Sequence, residues 1–548
     1  MKTFCGFVKI FIDYVICAYL LLILAVMPFY NREGYDHIGT DKAYFFDNVI
    51  TKTGRILLPA VALYLVVLAV SLGKEFISLV RQKINLTDLF AGGYGLILVI
   101  SYFCSEYKKD ALWGATGWYM GFYPQMALVL TYFLVSKFWN PRRWMIYMAL
   151  ASSGLVFLLG YLNRLRVDPL NMGVNNPGFI STVGNINWYC SYLVSVFFAG
   201  VALLWQGKDL KRWKQALLML YVLVGSGSLL TQGSDSGLVA LAAVILAMFV
   251  LSTDRSASMQ MFWLGVLLLG GAGMITYVIQ TIFPERMNYT EGLGFWLVSK
   301  GVFFYVSIMS IFVIILLYYS VKAGFYPQGF FRILSRIFVT AVSLMAVLMI
   351  ILMSVNTLKP GSLGALSELS SFTFSVNWGS SRGATWRAGW MCFAEQGFLH
   401  KLIGVGPDAM SAYLYRDGSE EVKALVRESF EGLILTNAHN EWLTVLVDTG
   451  IFGVVAFGGM MVTGIRRFVK EAGLEKIVCA CGFCLLAYTA NNMFSFRQSM
   501  NVATVFAVFG MGGAFLRVKE NAVEPDVSRD LNTQSKSSGF SLRWLTRR

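Results

Sequence analysis

The 548-residue sequence is 56% hydrophobic and only 14% charged, whereas about a quarter of the residues in soluble domains are charged. This composition excludes a soluble globular protein and predicts a polytopic membrane protein. The formal net charge of +14 does not indicate a nucleic-acid-binding surface, because most basic residues lie in short loops and in the C-terminal tail. Residues 1–30 combine a basic start with a long apolar run that lacks a cleavage site, so we predict a retained first helix.

Apolar segments recur along the whole chain. A spanning helix needs roughly 20 apolar residues, and by this measure the sequence predicts about fourteen transmembrane helices. We expect an all-α protein with transmembrane helices in 1–354, a long and partly helical extracytoplasmic loop in 355–440, further transmembrane helices in 441–517 and a disordered cytoplasmic tail in 518–548. The predicted helix centres are Leu20, Tyr64, Leu96, Leu128, Gly154, Ser195, Tyr221, Ala243, Leu268, Ser310, Met345, Val454, Leu485 and Ala507.

The distribution of basic residues predicts the topology. Lysine and arginine are more frequent in the loops that share a side with the N-terminus, which places both termini in the cytoplasm. Three outer loops are then richer in polar residues than simple connectors: Arg164–Gly184, the hairpin Thr231–Gly237 and the long loop 355–440. The long loop keeps many aliphatic and aromatic residues, so we expect it to fold and pack on the membrane surface.

The first two of these loops contain charged residues whose ordinary roles are structural. Asp235, in the hairpin, could bind sugar hydroxyls, although a carboxylate at that position more commonly caps a helix. Arg164 follows the predicted outer end of a transmembrane span and could extend an anion site. Arginines commonly flank such spans, however.

The stretch S-S-R-G-A-T-W-R-A-G-W at 380–390 has helical spacing. Arg382, Trp386 and Trp390 fall on one face of the predicted helix, whereas Arg387 points elsewhere. The ordinary interpretation is an interfacial helix with an aromatic belt and a snorkelling arginine. The functional interpretation is a phosphate clamp, because the planar guanidinium binds phosphate oxygens in pairs and keeps its proton.

Two further motifs follow in the long loop. Gly404 and Gly406, in G-V-G-P, could bring backbone amides close to an anion, or could simply form a turn. His439 and Asn440 stand at the start of an apolar run. A helix N-terminus there would favour an anionic ligand and a neutral imidazole that can accept a proton; the alternative is a histidine that caps the helix.

The sequence shows no pattern for a metal or a cofactor. Its eight cysteines are scattered. Cys479, Cys481 and Cys484 lie inside an apolar run, where cysteine packs as a small hydrophobe. No D-x-D-like carboxylate cluster is present, so we expect no metal site and no cofactor.

These stretches together resemble the O-antigen ligase and Wzy-type polymerase family of bacterial membrane glycosyltransferases. The family pattern is S-G-R-x-x-x-W, then G-x-G, then H-N-x-x-L-x-x-x-x-E-x-G-x-x-G. An upstream stretch, G-N-I-N-W-Y at 184–189, resembles a further family motif. The hairpin Thr231–Gly237 lacks the arginine usual in the family, and an aspartate replaces the usual glutamate. The matching residues are Ser381, Arg382, Trp386, Gly404, Gly406, His439, Asn440, Leu443, Asp448, Gly450 and Gly453.

The resemblance implies a GT-C-like bundle in the bacterial plasma membrane with its active site on the outer face. The reaction would transfer a glycan from polyprenyl diphosphate to an acceptor hydroxyl, with inversion and without a metal, as in O-antigen, capsule or exopolysaccharide synthesis. The implied partners are the lipid-linked glycan donor, a glycan, lipid or protein acceptor, and membrane lipid. The implied catalytic residues are Arg382 and His439, the implied diphosphate-binding residues are Arg382, Arg387, Gly404 and Gly406, and weaker substrate-binding candidates are Asn440, Trp386, Trp390, Asn185 and Asp235.

Two other functions remain open at the level of sequence. A flippase or exporter of lipid-linked glycans would need polar residues along its spans, and apart from Asp13 few are evident. A cell-wall polymerase of the shape-and-division type would carry motifs that are not visible in this chain. The motifs also do not separate a ligase from a polymerase.

Overall fold

The computed structural model describes residues 2–531 apart from 74, 174–175, 289–290 and 370–371. It is 78% helical. The first third contains helices Lys2–Leu21 (α1), Ile38–Leu72 (α2), Glu75–Lys83 (α3), Leu86–Cys104 (α4), Lys108–Trp113 (α5), Phe122–Phe138 (α6) and Arg143–Arg164 (α7). A π turn at Leu22–Val26 and a 3-10 turn at Met27–Phe29 prolong α1.

The middle of the chain begins with a two-residue antiparallel pair, Phe179–Ile180 (β1) and Gly184–Asn185 (β2). The helices that follow are Ile186–Trp205 (α8), Arg212–Thr231 (α9), Ser236–Ser252 (α10), Ser256–Ile282 (α11), Gly292–Ser299 (α12), Val302–Lys322 (α13) and Gln328–Leu358 (α14). The last part contains Trp378–Glu395 (α15), Phe398–Ile403 (α16), Met410–Arg416 (α17), Glu420–Phe430 (α18), Glu441–Val469 (α19), Lys476–Asn491 (α20) and Ser499–Leu531 (α21), with 3-10 turns at Pro284–Arg286 and Gly364–Glu368.

Eleven helices in the described part of the chain are long and apolar enough to cross a membrane. Each of the fourteen predicted centres falls in a helix, and the three helices outside the eleven are α6, α10 and α20, which have 17, 17 and 16 residues. The prediction of an all-α polytopic membrane protein is therefore confirmed.

The bundle has a buried centre and a lipid-facing edge. The whole of the most apolar window of α21 is buried inside the protein, whereas none of the corresponding window of α14 is. Helices α8 and α20 pack beside α21 and are also largely buried. Helix α21 continues to Leu531, so the described part of the predicted tail is helical, and residues 532–548 of that tail lie outside the described residues.

The loops assigned to the outer side by the alternating topology contact one another at one end of the bundle. The buried guanidinium of Arg164 donates hydrogen bonds to the carbonyls of Pro177 (2.9 Å) and Gln232 (2.6 Å) and to Asn288 Oδ1 (3.2 Å). It thereby joins three loops that are far apart in sequence. Because these partners occupy Arg164, it is a structural residue and not an extension of an anion site.

The long loop 355–440 has its own apolar core over its described part. Helices α15, α17 and α18 bury side chains against the N-terminal part of α19 and the start of α5. This core fixes the loop on the bundle. Its buried members are Tyr107, Ala111, Ala388, Cys392, Val405, Ala409, Met410, Leu414, Val422, Val426, Leu435, Ala438 and Val447.

Candidate functional site

Arg382 follows a turn of unusual backbone conformation. Gly379, Ser380 and Ser381 have φ values of 60°, 60° and 67°, the left-handed region that non-glycine residues rarely adopt. Regular helix begins only after them. The turn brings the carbonyl of Gly379 within 2.8 Å of Arg382 Nη1, and Arg382 Nε donates to the carbonyl of Phe494 at 3.0 Å. These two hydrogen bonds fix the plane of the guanidinium. The third nitrogen, Nη2, has no hydrogen-bond partner among the described residues.

The surroundings of Arg382 make it a suitable anion-binding group. Burial lowers the pKa of the guanidinium, and the negative charge of Asp235 opposes that shift. An arginine in such a place still carries its charge at neutral pH. A partly desolvated cation with free N–H groups binds phosphate oxygens more strongly than a fully hydrated one.

His439 lies within electrostatic reach of Arg382. Burial and then the positive charge of Arg382 lower the pKa of the imidazole to about 4. The ring is therefore neutral at physiological pH and can accept a proton. Its Nδ1 is buried and has no hydrogen-bond partner among the described residues, and the residue itself has a left-handed φ of 49°. Strained non-glycine residues of this kind concentrate at functional sites.

One short loop, Asn492–Gln498, contacts both groups. The carbonyl of Phe494 accepts the hydrogen bond from Arg382, and the ring of Phe496 packs edge-on against His439 with centroids 4.9 Å apart. Sequence reasoning did not find this loop. The available signal was a polar run, N-N-M-F-S-F-R-Q-S at 491–499, between two apolar runs.

A buried ion pair holds that loop in place. Arg497 Nε pairs with Glu441 Oε1, and Glu441 Oε2 accepts a hydrogen bond from the backbone N–H of Arg497 at 2.7 Å. Arg497 Nη1 also donates to Tyr94 (2.6 Å) and Gln125 (2.5 Å). Glu441 is two residues after His439, so this pair sets the position of the loop relative to the imidazole.

Breaking the buried pair should destabilise this end of the bundle. Glu441→Gln leaves Arg497 buried without its carboxylate, which should cost roughly 3 kcal/mol and lower the thermal unfolding midpoint of the purified protein. The matched control is Glu520→Gln, which removes the exposed partner of Arg467 and should change the midpoint little. Equal midpoints for the two variants would show that the Glu441 pair does not stabilise the loop.

One end of the bundle thus joins a cation, a neutral imidazole and a loop that contacts both. Residues 292–458 match the family described as O-antigen ligase. The resemblance predicted from the sequence is confirmed over this segment, and no curated protein matches the chain. The O-antigen ligase segment contains Arg382 and His439, whereas the loop Asn492–Gln498 lies after it. The match supports a membrane enzyme that transfers glycans.

The two tryptophans of the O-antigen ligase segment that were predicted to face sugars are placed differently. Trp386 stacks on Phe494 with ring centroids 5.6 Å apart and an interplanar angle of 30°, so it lies beside Arg382. Trp390 is 58% exposed and contacts only the ring of Phe393 among the described aromatic rings. The structure therefore brings Trp386, but not Trp390, to the candidate site.

Arg387 also lies away from the site. Its guanidinium faces Glu421 on α18 at 3.5 Å, and both side chains are exposed. Residues five positions apart on one helix point in different directions. Arg387 and Arg382 therefore cannot share a ligand. We therefore leave Arg387 out of the proposed diphosphate site.

The glycine loop of the O-antigen ligase segment and the residues that follow it contact Asp448 of the protein itself. The N–H groups of Asp408 and Met410 donate to Asp448 at 3.1 and 3.0 Å, and the N–H of Gly406 donates to the carbonyl of Asp448. The N–H of Gly404 donates to His400. A Cβ on Gly404 would lie 2.1 Å from the backbone of Asp448, which explains the glycine. Since their amides are occupied, Gly404 and Gly406 leave no N–H for a phosphate.

The three polar candidates at helix ends have capping roles. Asn440 Oδ1 accepts a hydrogen bond from the N–H of Leu443, and Asn185 Oδ1 accepts one from Asn187, so they cap α19 and α8. Asp235 accepts from the N–H of Leu293 in the first turn of α12 at 2.8 Å. The exposed carboxylate of Asp235 nevertheless remains within electrostatic reach of Arg382.

Proposed function

We propose that this protein transfers a glycan from a polyprenyl-diphosphate donor to an acceptor hydroxyl at the outer face of the bacterial plasma membrane. The observation that carries the proposal is the meeting of Arg382 and His439 at one end of the bundle, inside the O-antigen ligase segment. Arg382 binds the donor diphosphate, and His439 accepts the proton of the acceptor hydroxyl.

The reaction follows from these two roles. The acceptor oxygen attacks the anomeric carbon of the donor sugar while the bond between that carbon and the phosphate oxygen breaks. The proton of the hydroxyl passes to the His439 imidazole. Negative charge develops on the leaving diphosphate, where the fixed guanidinium of Arg382 stabilises it. Attack on the face opposite the diphosphate inverts the anomeric centre. In this mechanism arginine supplies the positive charge, and no metal is required.

The arrangement of the loops supports an outer location for the site. The contacts of Arg382 and His439 involve the loops after α14 and α20, which the positive-inside pattern assigns to the side opposite the N-terminus. The proposed topology therefore has both termini in the cytoplasm and the reaction on the extracytoplasmic face.

Purified protein in liposomes should form a new glycosidic bond when given a labelled polyprenyl-diphosphate oligosaccharide and a candidate acceptor. The transfer should continue in the presence of a chelator, and the new linkage should have the anomeric configuration opposite to that of the donor. Movement of the labelled lipid between leaflets without a new bond would instead indicate an exporter, and product formation that a chelator abolishes would contradict the arginine mechanism.

A further inference from the structure

The turn 114–121, which joins α5 to α6, contacts both segments that surround the imidazole of the candidate site. The indole N–H of Trp118 donates a hydrogen bond to Oγ1 of Thr436, three residues before His439. The ring of Trp118 also packs edge-on against Phe496 with centroids 5.0 Å apart, and Phe496 packs edge-on against His439 at 4.9 Å. Trp118 therefore contacts the segment that carries the imidazole and the ring that packs against it.

One buried carboxyl group holds the turn 114–121 in its conformation. Oδ2 of Asp408 accepts hydrogen bonds from the N–H groups of Ala115 at 2.8 Å and Met120 at 3.1 Å, near the two ends of the turn. Burial raises the pKa of this carboxyl, but both N–H groups donate to the same oxygen, so a proton on Oδ1 leaves both bonds in place. Loss of the carboxyl would leave two backbone donors without an acceptor, which disfavours the present conformation of the turn.

The backbone of the turn is one that few residues adopt. Gly114 and Gly117 have φ values of 97° and 98°, and Tyr119 has a left-handed φ of 51° although it is not glycine. A Cβ on Gly114 would lie 2.2 Å from Oδ2 of Asp408, so only glycine leaves room for the carboxyl there. Strained residues persist where surrounding contacts over-determine them. Here those contacts are the hydrogen bonds that Asp408 accepts and the one that Trp118 donates.

Asp408 itself belongs to the O-antigen ligase segment, directly after G-V-G-P. Its N–H donates to Oδ2 of Asp448 at 3.1 Å, and it has a left-handed φ of 58°. Asp408 and Ala115 are 293 positions apart in the chain. The residue that follows the glycine motif thus connects the O-antigen ligase segment to a distant turn, and through that turn to the surroundings of the imidazole.

The aromatic rings on this side of the imidazole form a continuous wall. Trp188, in the first turn of α8, packs edge-on against Trp118 with centroids 5.5 Å apart. The ring of Trp188 is fixed in turn by the backbone of Gly39, where a Cβ would come within 2.9 Å of it. Phe496, between Trp118 and His439, is only 4% exposed. The wall therefore keeps water from one side of the imidazole, and burial is the main cause of the lowered pKa of His439.

We propose that Asp408 is a positioning residue for His439. It closes the turn 114–121, the turn holds Trp118 against Phe496, and the resulting wall keeps the imidazole dry and in a fixed orientation. The catalytic meaning of this role rests on the proposed glycan transfer. Asp408 touches neither donor nor acceptor and acts through Trp118. Without it the wall loosens, water reaches the imidazole, and the base becomes an ordinary hydrated histidine that is partly protonated at neutral pH.

An NMR titration of the full-length protein in nanodiscs tests this role without any substrate. The chain has only three histidines, so after ¹³C labelling of histidine the His439 signal is identified by its absence in His439→Gln. In the wild type it should titrate only near pH 4. In Asp408→Ala its midpoint should rise by roughly one pH unit or more, toward the ordinary value of about 6.5. An unchanged midpoint in a folded Asp408→Ala protein would overturn the proposal.

The matched control is Asp417→Ala. Asp417 also joins the long loop 355–440 to the chain before α6, because it accepts a hydrogen bond from the hydroxyl of Tyr107, but its described hydrogen bond does not involve the turn 114–121. The His439 midpoint should stay as in the wild type. Asp408→Asn keeps an oxygen that can accept both N–H groups and should retain most of the wild-type behaviour. An equal rise in Asp417→Ala would show that general loosening of the long loop is measured, which would overturn the role of Asp408.

Trp118→Ala keeps the test valid if Asp408→Ala does not fold. It removes the half-buried ring of the wall directly and should raise the His439 midpoint in the same direction. Because Asp408 acts through Trp118, the double variant should shift the midpoint no further than Trp118→Ala alone. Shifts that add in the double variant would contradict the assignment of Trp118 as the link.

Kinetics separates this proposal from the proposed reaction. In Asp408→Ala, kcat/KM for glycan transfer should be about fourfold lower at pH 6 than at pH 8, as for a base with the ordinary histidine pKa of about 6.5, whereas the wild type should show no such difference. A raised NMR midpoint without glycan transfer by any variant would contradict the proposed reaction and still support the contact role of Asp408. Glycan transfer by Asp408→Ala with the wild-type midpoint and pH profile would overturn the role of Asp408 alone.

Discussion

Replacing Arg382 with alanine should lower the rate of glycan transfer by about 10³-fold, the upper range seen when one preorganised charge-stabilising group is removed. Two hydrogen bonds, to Gly379 and Phe494, hold the guanidinium before the substrate arrives. The group therefore needs no reorganisation when negative charge develops on the leaving diphosphate. The measurement is the initial rate of labelled product formation by purified protein at saturating acceptor.

The control for this variant is Arg387→Gln, on the same helix. Arg387 faces Glu421 and both side chains are exposed, so its loss should leave the rate close to that of the wild type. Arg382→Lys should recover only part of the activity, because an ammonium keeps the charge but loses the planar pair of donors. Full activity in Arg382→Ala, or an equal loss in Arg387→Gln, would remove Arg382 from the mechanism.

Replacing His439 with alanine should lower the rate by about 10³-fold, within the range of contributions from a positioned general base. In the proposed mechanism the neutral imidazole is the base, and its ring packs edge-on against Phe496. His439→Gln keeps a polar side chain of similar length that cannot accept a proton at neutral pH, so it should be almost as inactive as the alanine variant. Activity near the wild-type level in His439→Gln would assign the residue to positioning alone.

The pH dependence gives an independent test of the base. The active form of His439 is neutral, and burial together with the charge of Arg382 lowers its pKa to about 4. The value of kcat/KM should therefore stay flat as pH falls through the ordinary histidine pKa of about 6.5 and should decrease only near pH 4. A decrease centred near pH 6.5 would show that the imidazole is not held in the environment described.

The sequence predicted much of this architecture for identifiable reasons. Long apolar runs with short basic loops predicted the helical bundle, because bilayer thickness fixes the length of a span. The spacing of Arg382 and the placement of His439 before an apolar run predicted two polar groups at the outer end of helices. Their proximity was expected from the resemblance, and the lowering of the His439 pKa by the charge of Arg382 agrees with it.

Other features depend on packing that no local pattern contains. The loop Asn492–Gln498 contributes Phe494 and Phe496 to the site from a position more than fifty residues downstream of His439. The glycines of the G-V-G loop pack against the backbone of Asp448, and the N–H groups of Asp408 and Met410 after them bind its side chain, so the motif was visible in the sequence but its partner was not.

A structure of the full-length protein with polyprenyl diphosphate bound tests the central claim most directly. The proposed mechanism predicts phosphate oxygens within hydrogen-bonding distance of the Arg382 guanidinium, at the outer end of the bundle and on the same side as the His439 imidazole. A diphosphate bound at the end of the bundle that carries the N-terminus, with Arg382 still bonded only to Gly379 and Phe494, would contradict it.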